Sequence, residues 1–215
     1  MPARAQTDGT LMGGYQAVTL STARGEVKSR FYAPQRLAES KGRGVIWVGG
    51  VGGGWDSPAR DLYARLALEL AGEDLAGLRV RYRKPGELEE CLFDLLTAAR
   101  FLETKGVNRL GIVGHSFGGA VAVQAAAKLS QVRAVVTLAT QGRGAEPASR
   151  LGPRVAMLMM HGTDDEVLPV ESTEYVNRLA KEPKQLVIFN GARHLLDEVA
   201  DRVHREVRDW LLTRL

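Results

Sequence analysis

The chain of 215 residues contains one cysteine, Cys91. No intramolecular disulfide can form, so nothing calls for an oxidising compartment, and a cytoplasmic protein is expected. No stretch reaches the ~18 apolar residues of a membrane span, and the opening MPARAQTDGTLMGGYQ lacks the apolar core of a signal peptide. The expectation is a soluble, unexported chain with no membrane partner. No basic run occurs either: the net charge of +4 is carried by lysines and arginines interleaved with acids. That pattern argues against nucleic acid as a partner. The dinucleotide pattern G-x-G-x-x-G and the phosphate-loop ending G-K-S/T are both missing, which removes the sequence basis for nucleotide binding. Internal repeats and low-complexity segments are also missing. A zinc site would need clustered His, Cys and carboxylate ligands, and the close pair of His161 and Asp165 falls in a turn explained otherwise below. Neither a metal nor an organic cofactor is therefore expected.

What is present is the composition of a globular core, with 45% hydrophobic and 25% charged residues. One domain is expected at this length, since cores divide only beyond about 250 residues. Residues 1–14 are polar and glycine-containing and read as a flexible arm, with the domain spanning 15–215. Segments 15–21 and 26–32 alternate around the turn-like ARG at 23–25, which suits a β-hairpin.

From there the chain repeats a short apolar run, a glycine-rich turn and a longer segment of helical spacing. The runs are GVIWVG (44–49), LAGLRVRY (75–82), RLGIVG (109–114), RAVVTLA (133–139), RVAMLMM (154–160) and QLVIF (185–189). Strands covered on both faces read as unbroken apolar runs, so a parallel sheet between helices is expected. LAGLRVRY is the weakest, because Arg79 and Arg81 interrupt it. Helices are predicted at 58–71, 87–105, 118–129, 170–180 and 196–215. In the second of these, Leu88, Cys91, Leu92, Leu95, Leu96, Ala99 and Leu102 share one face, which buries Cys91 and argues against a reactive thiol. The fold class is α/β: a three-layer α/β/α sandwich around a mostly parallel twisted sheet with an antiparallel N-terminal hairpin.

The strongest local signal is Gly114-His115-Ser116-Phe117-Gly118-Gly119, which follows an apolar strand and opens a helix. A serine on a sharp strand-to-helix turn projects its hydroxyl from the sheet, and the flanking glycines avoid Cβ clashes. The helix beginning at Phe117 offers backbone N–H groups and a positive dipole end to a developing oxyanion. A serine needs a base and the base an orienting acid. Of four histidines, His115 is expected to point away from the serine hydroxyl, His161 to be a packed or turn-bonding residue, and His204 to be solvated or structural. His194, in the loop GARH after the last strand, is the best-placed base. The acid is Asp164 or Asp165, in the loop after the MLMM strand, on the sheet edge where open α/β sheets bind ligands.

Over roughly residues 15–215 the chain resembles the α/β-hydrolase family. The resemblance rests on GHSFGG, on HGTDDEVLP (161–169), on GARH (191–194), on the order Ser, Asp, His, and on the glycine-rich turn 49–54. It implies Ser116 as nucleophile, His194 as base and, as the fifth residue counted from His161, Asp165 as the acid. It also implies an oxyanion hole from the backbone N–H groups of Val51 and Phe117. Gly49 stands where the family usually has a histidine. The short connection 141–152 leaves no room for a cap domain, so the chain looks like the capless members, dienelactone-hydrolase-like enzymes and small carboxylesterases.

The resulting expectation is a serine esterase acting on a small-molecule acyl substrate. A thioesterase or amide hydrolase on the same triad, and a non-catalytic binding protein of the same fold, are the alternatives. Arg81, Arg83 and Lys84 follow the second parallel strand near the site edge, where they either favour an anionic substrate or form a solvated loop. No sequence pattern encodes an oligomeric state.

Overall fold

The computed structural model describes residues 4–35 and 42–215. Its strands are β1 (Arg4–Met12), β2 (Tyr15–Thr22), β3 (Gly25–Tyr32), β4 (Arg43–Val48), β5 (Ala76–Arg81), β6 (Arg109–His115), β7 (Val132–Leu138), β8 (Ala156–Gly162) and β9 (Lys184–Phe189). The helices are α1 (Pro58–Gly72), α2 (Leu88–Thr104), α3 (Phe117–Lys128), α4 (Glu171–Leu179) and α5 (Ala200–Arg214). The strands form one sheet in the order β1-β2-β3-β5-β4-β6-β7-β8-β9. β1, β2, β3 and β5 pair antiparallel, whereas β5, β4 and β6 to β9 run parallel.

The period of two along each parallel strand divides the core into two layers. In β4, Val45 and Trp47 face one way, with Leu62, Tyr63 and Leu66 of α1 and Val203, Val207 and Leu211 of α5. Ile46 and Val48 face the other way, with Cys91, Leu95 and Leu102 of α2, Ala120 and Val121 of α3 and Val176 of α4. Both faces of the strands are thus removed from water, which is why they are apolar without interruption. Cys91 lies fully in this core. Burial pushes its thiol pKa up to about 12.

The arm expected at 1–14 is corrected in part. Residues 1–3 lie outside the described residues, but Arg4–Met12 is a strand, paired with β2 from Arg4 opposite Ser21 to Met12 opposite Tyr15. Gly13 and Gly14 join the two strands with φ of 58° and 82°, both in the left-handed region that a two-residue hairpin turn requires.

The sheet places its chemistry at a switch point. β4 has β5 on one side and β6 on the other, so the chain leaves the C-terminal ends of β4 and β6 in opposite directions. A crevice opens between such turns.

Candidate active site

β6 ends at His115 and α3 begins at Phe117, leaving Ser116 alone to make the turn, with φ 55° and ψ −120°. A non-glycine residue pays strain to adopt this backbone, and such strain concentrates at functional sites. Packing enforces it. A Cβ on Gly114 would strike the carbonyl of Gly118, one on Gly118 would strike the carbonyl of Gly49, and one on Gly119 would strike Thr140 Oγ1. The turn is pinned on its other side by Ser116 N–H, which donates to Leu138 O at 2.8 Å.

Asp165 leaves the end of β8 and is buried, its side chain 1% exposed. Its Oδ1 accepts the backbone N–H groups of Val167 and Leu168, both at 2.8 Å. Its Oδ2 accepts His194 Nδ1–H at 2.7 Å. Burial opposes the negative charge, but the bonds from Leu168 N–H, His194 and Val167 N–H outweigh it and hold the carboxyl below its ordinary pKa. Asp164 takes no part: it is exposed and accepts from Thr163 Oγ1 at 2.9 Å. With Nδ1 of His194 donating to Asp165, its Nε2 is the nitrogen with a lone pair.

The loops that carry Asp165 and His194 are stitched together by Asp164 N–H to Ala192 O at 3.0 Å and Thr163 N–H to Phe189 O at 2.9 Å. Gly162 permits this approach, since a Cβ there would strike the Ala192 carbonyl. Beyond His194, the first turn of α1 docks on the base loop. Ala59, Arg60 and Asp61 lie in the left-handed region, and Ala59 N–H donates to Leu195 O at 2.7 Å while Arg60 N–H donates to Asp197 Oδ1 at 2.8 Å.

Ser116 and His194 line one cavity of about 400 Å³, whose wall also includes Gly50, Val51 and Asp56. The turn after β4 is closed by Gly53 N–H to Gly50 O at 3.2 Å. The N–H of Val51 has no hydrogen-bond partner among the described residues. Phe117, as the first residue of α3, has an N–H with no partner inside its own helix. Among the described residues no group of three or more His, Cys, Asp or Glu could hold a metal ion.

The other three histidines each have a defined partner. His204 is structural, with Nε2 2.6 Å from Glu69 Oε2. His161 is fully buried, as expected, but its Nε2 also lies 3.0 Å from Asp165 Oδ2 as well as from Leu168 O. Both are acceptors, so Nε2 carries the proton and Nδ1 accepts the Thr173 hydroxyl at 2.6 Å. Burial keeps His161 below its ordinary pKa.

His115 turns toward the base loop: it donates Nε2–H to His194 O at 3.0 Å, and its ring centroid stands 4.7 Å from that of His194. Burial, then the neighbouring His194, pushes its pKa down to about 4. The signal was in the strand period: His115 shares the face of Val113, which packs on the α1 and α5 side where the base loop runs.

The model of the dienelactone hydrolase family matches residues 54–204. The chain belongs to the dienelactone hydrolase family. Among solved structures, the dienelactone hydrolase from Anabaena variabilis superposes with a TM-score of 0.76 at 22% identity, over 100% of both chains. Est1E from Butyrivibrio proteoclasticus gives 0.76 at 18% identity, over 92% of this chain and 98% of that one. The esterase domain of a Rhodothermus marinus protein gives 0.71 at 19%, over 96% and 97%. These likenesses establish the α/β-hydrolase fold. The uncharacterized protein YfhR of Escherichia coli K12 is 37% identical over 65 residues, 28% of this chain and 22% of YfhR. YfhR of strain O157:H7 is 30% identical over 123 residues, 46% and 43% of the two chains. The match thus spans less than half the length of these curated relatives.

In this family member the connection from β7 to β8 carries only a short 3₁₀ turn, Glu146–Arg150. No helix of the described residues is long and apolar enough to cross a membrane. Arg83 does not reach the cavity, contrary to one of the two readings of that loop. It donates to Asp94 Oδ1 at 2.5 Å, Glu90 Oε2 at 2.7 Å and Arg24 O at 2.6 Å.

Proposed function

We propose that the chain is a serine hydrolase that cleaves small carboxylic esters through an acyl-enzyme. The observation that carries this reading is the 2.7 Å bond between Asp165 Oδ2 and His194 Nδ1, made by a histidine that lines the same cavity as the strained Ser116. Family membership and the similarity to a structure described as an esterase domain support it.

Ser116 Oγ attacks the ester carbonyl while His194 Nε2 takes its proton, and Asp165 stabilises the imidazolium that results. The tetrahedral oxyanion accepts hydrogen bonds from the N–H groups of Val51 and Phe117, which point at developing charge without reorganisation. Collapse expels the alcohol, protonated by His194, and leaves an ester on Ser116. A water then gives its proton to His194 and attacks the acyl carbonyl, releasing the acid and the free serine. The partner is a small acyl substrate, and the mechanism uses no metal or organic cofactor.

The test is hydrolysis of short p-nitrophenyl esters by the wild type and Ser116→Ala. Turnover by the wild type, lost by several orders of magnitude in the variant, supports the reading. Equal turnover by both proteins, or none by the wild type, sinks it.

A further inference from the structure

The cavity beside Ser116 has an uneven charge. Asp56, in the loop between β4 and α1, is the only lysine, arginine, aspartate or glutamate on its wall among the described residues. Its carboxylate is exposed and has no hydrogen-bond or ion-pair partner among the described residues. Buried behind His194 lies a second carboxylate, Asp165, and Glu166 places Oε2 3.4 Å from the His194 backbone nitrogen.

Three arginines of the neighbouring strands and loops are committed to other partners. Arg30 is stacked on the rings of Trp55 and Tyr15, at 4.1 and 4.7 Å. Arg79, its side chain 4% exposed, donates to Trp55 O at 2.6 Å and pairs with Asp61. Arg83 is held by Asp94 and Glu90. Three apolar side chains flank the mouth: Val51, Val167 and Leu195 are 60%, 59% and 49% exposed, and all three line the cavity. Exposed apolar side chains grouped around a nucleophile mark a contact surface for the substrate's hydrocarbon part.

We infer that Asp56 is a specificity-determining residue that selects esters carrying an apolar chain with a positively charged end, and that the site discriminates against anionic esters. This rests on the serine-hydrolase reading above. A cation at the end of the chain gains attraction to Asp56 and an anion meets repulsion, in a cleft whose apolar walls strengthen both relative to open water.

Three p-nitrophenyl esters of matched acyl length, ending in trimethylammonium, tert-butyl or sulfonate, provide the test. The expected order of kcat/KM is cation, neutral, anion, with at least about a tenfold ratio between the extremes at low salt. That ratio collapses toward one in Asp56→Asn, persists in Asp56→Glu, and shrinks as sodium chloride is raised. A sulfonate ester turned over as fast as the ammonium ester by the wild type overturns the inference, as does a ratio unchanged in Asp56→Asn. Binding of the same three esters to Ser116→Ala, read by calorimetry, separates the two claims. If no ester is hydrolysed the serine mechanism falls. The affinity order of the ammonium and sulfonate compounds still decides for or against Asp56.

Discussion

His161 Nε2 stands 3.0 Å from Asp165 Oδ2, the same oxygen that holds His194 Nδ1 at 2.7 Å. The buried, neutral His161 therefore donates to the carboxylate that holds His194, and does so without touching the cavity. In the proposed mechanism it is a positioning residue. Such outer partners fix the angle of the group they hold. His161→Leu, which removes the donor, is expected to lower kcat about tenfold with KM unchanged. His161→Gln, whose amide can donate from nearly the same place, should recover most of it. Equal losses in both variants would mean that His161 serves only to pack the core.

Asp165 and Asp164 are neighbours with different environments. Asp165→Asn replaces an acceptor bound by two N–H groups and His194 with an amide that favours the wrong imidazole tautomer. A loss on the order of a thousandfold in kcat is expected. Asp164→Asn alters an exposed carboxylate bonded to Thr163, and kcat should stay within about twofold of the wild type. Steady-state ester hydrolysis by both variants checks this, and a reversed ranking would reassign the acid.

The buried His115 links stability to pH. Its pKa is near 4 in the folded chain and about 6.5 when unfolded. Between these values the unfolded chain binds a proton that the folded chain refuses. Stability is therefore full above pH 6.5, falls as the pH drops toward 4, and stops changing below that on this group's account. The loss by pH 4.5 is roughly 2 to 3 kcal/mol from His115, and His161, also lowered, adds in the same direction. Urea unfolding at pH 7 and 4.5 should show a smaller loss for His115→Gln than for the wild type. Identical losses would contradict the assignment.

Arg83 is a structural cation. Its pair with Asp94, whose side chain is 0% exposed, means that Arg83→Ala strands a buried charge. We expect a destabilisation of about 3 kcal/mol or more, read in urea unfolding, with the preference among cationic, neutral and anionic esters unchanged. A variant of wild-type stability, or one that loses a preference for anions, would restore the substrate-binding reading of this loop.

The parallel strands were legible in the sequence because burial on both faces leaves apolar runs, and Ser116 and His194 because their turns follow those runs; the turn after β8 left Asp164 and Asp165 open, and the family resemblance singled out Asp165. β1 was not, since an edge strand pairs on one side only and RAQTDGTLM needs no apolar alternation. β5 looked weak for a related reason. Arg79 interrupts its pattern yet is buried, satisfied by Trp55 O from a loop far along the chain. The strand period placed His115 on the face of the 190–196 loop, but the bond of His161 to the Asp165 carboxylate was hidden because that partner arrives from a loop that only the folded chain closes onto the strand end. Asp56 carried no motif, and its place on the cavity wall follows from the path of the β4–α1 loop.

The central claim is that Ser116 is the nucleophile, and covalent capture tests it most directly. Intact-protein mass spectrometry after treatment with a fluorophosphonate should show one adduct on the wild type, mapped by peptide digestion to Ser116, and none on Ser116→Ala. A wild type that stays unmodified, or a Ser116→Ala protein that labels equally, would contradict the account.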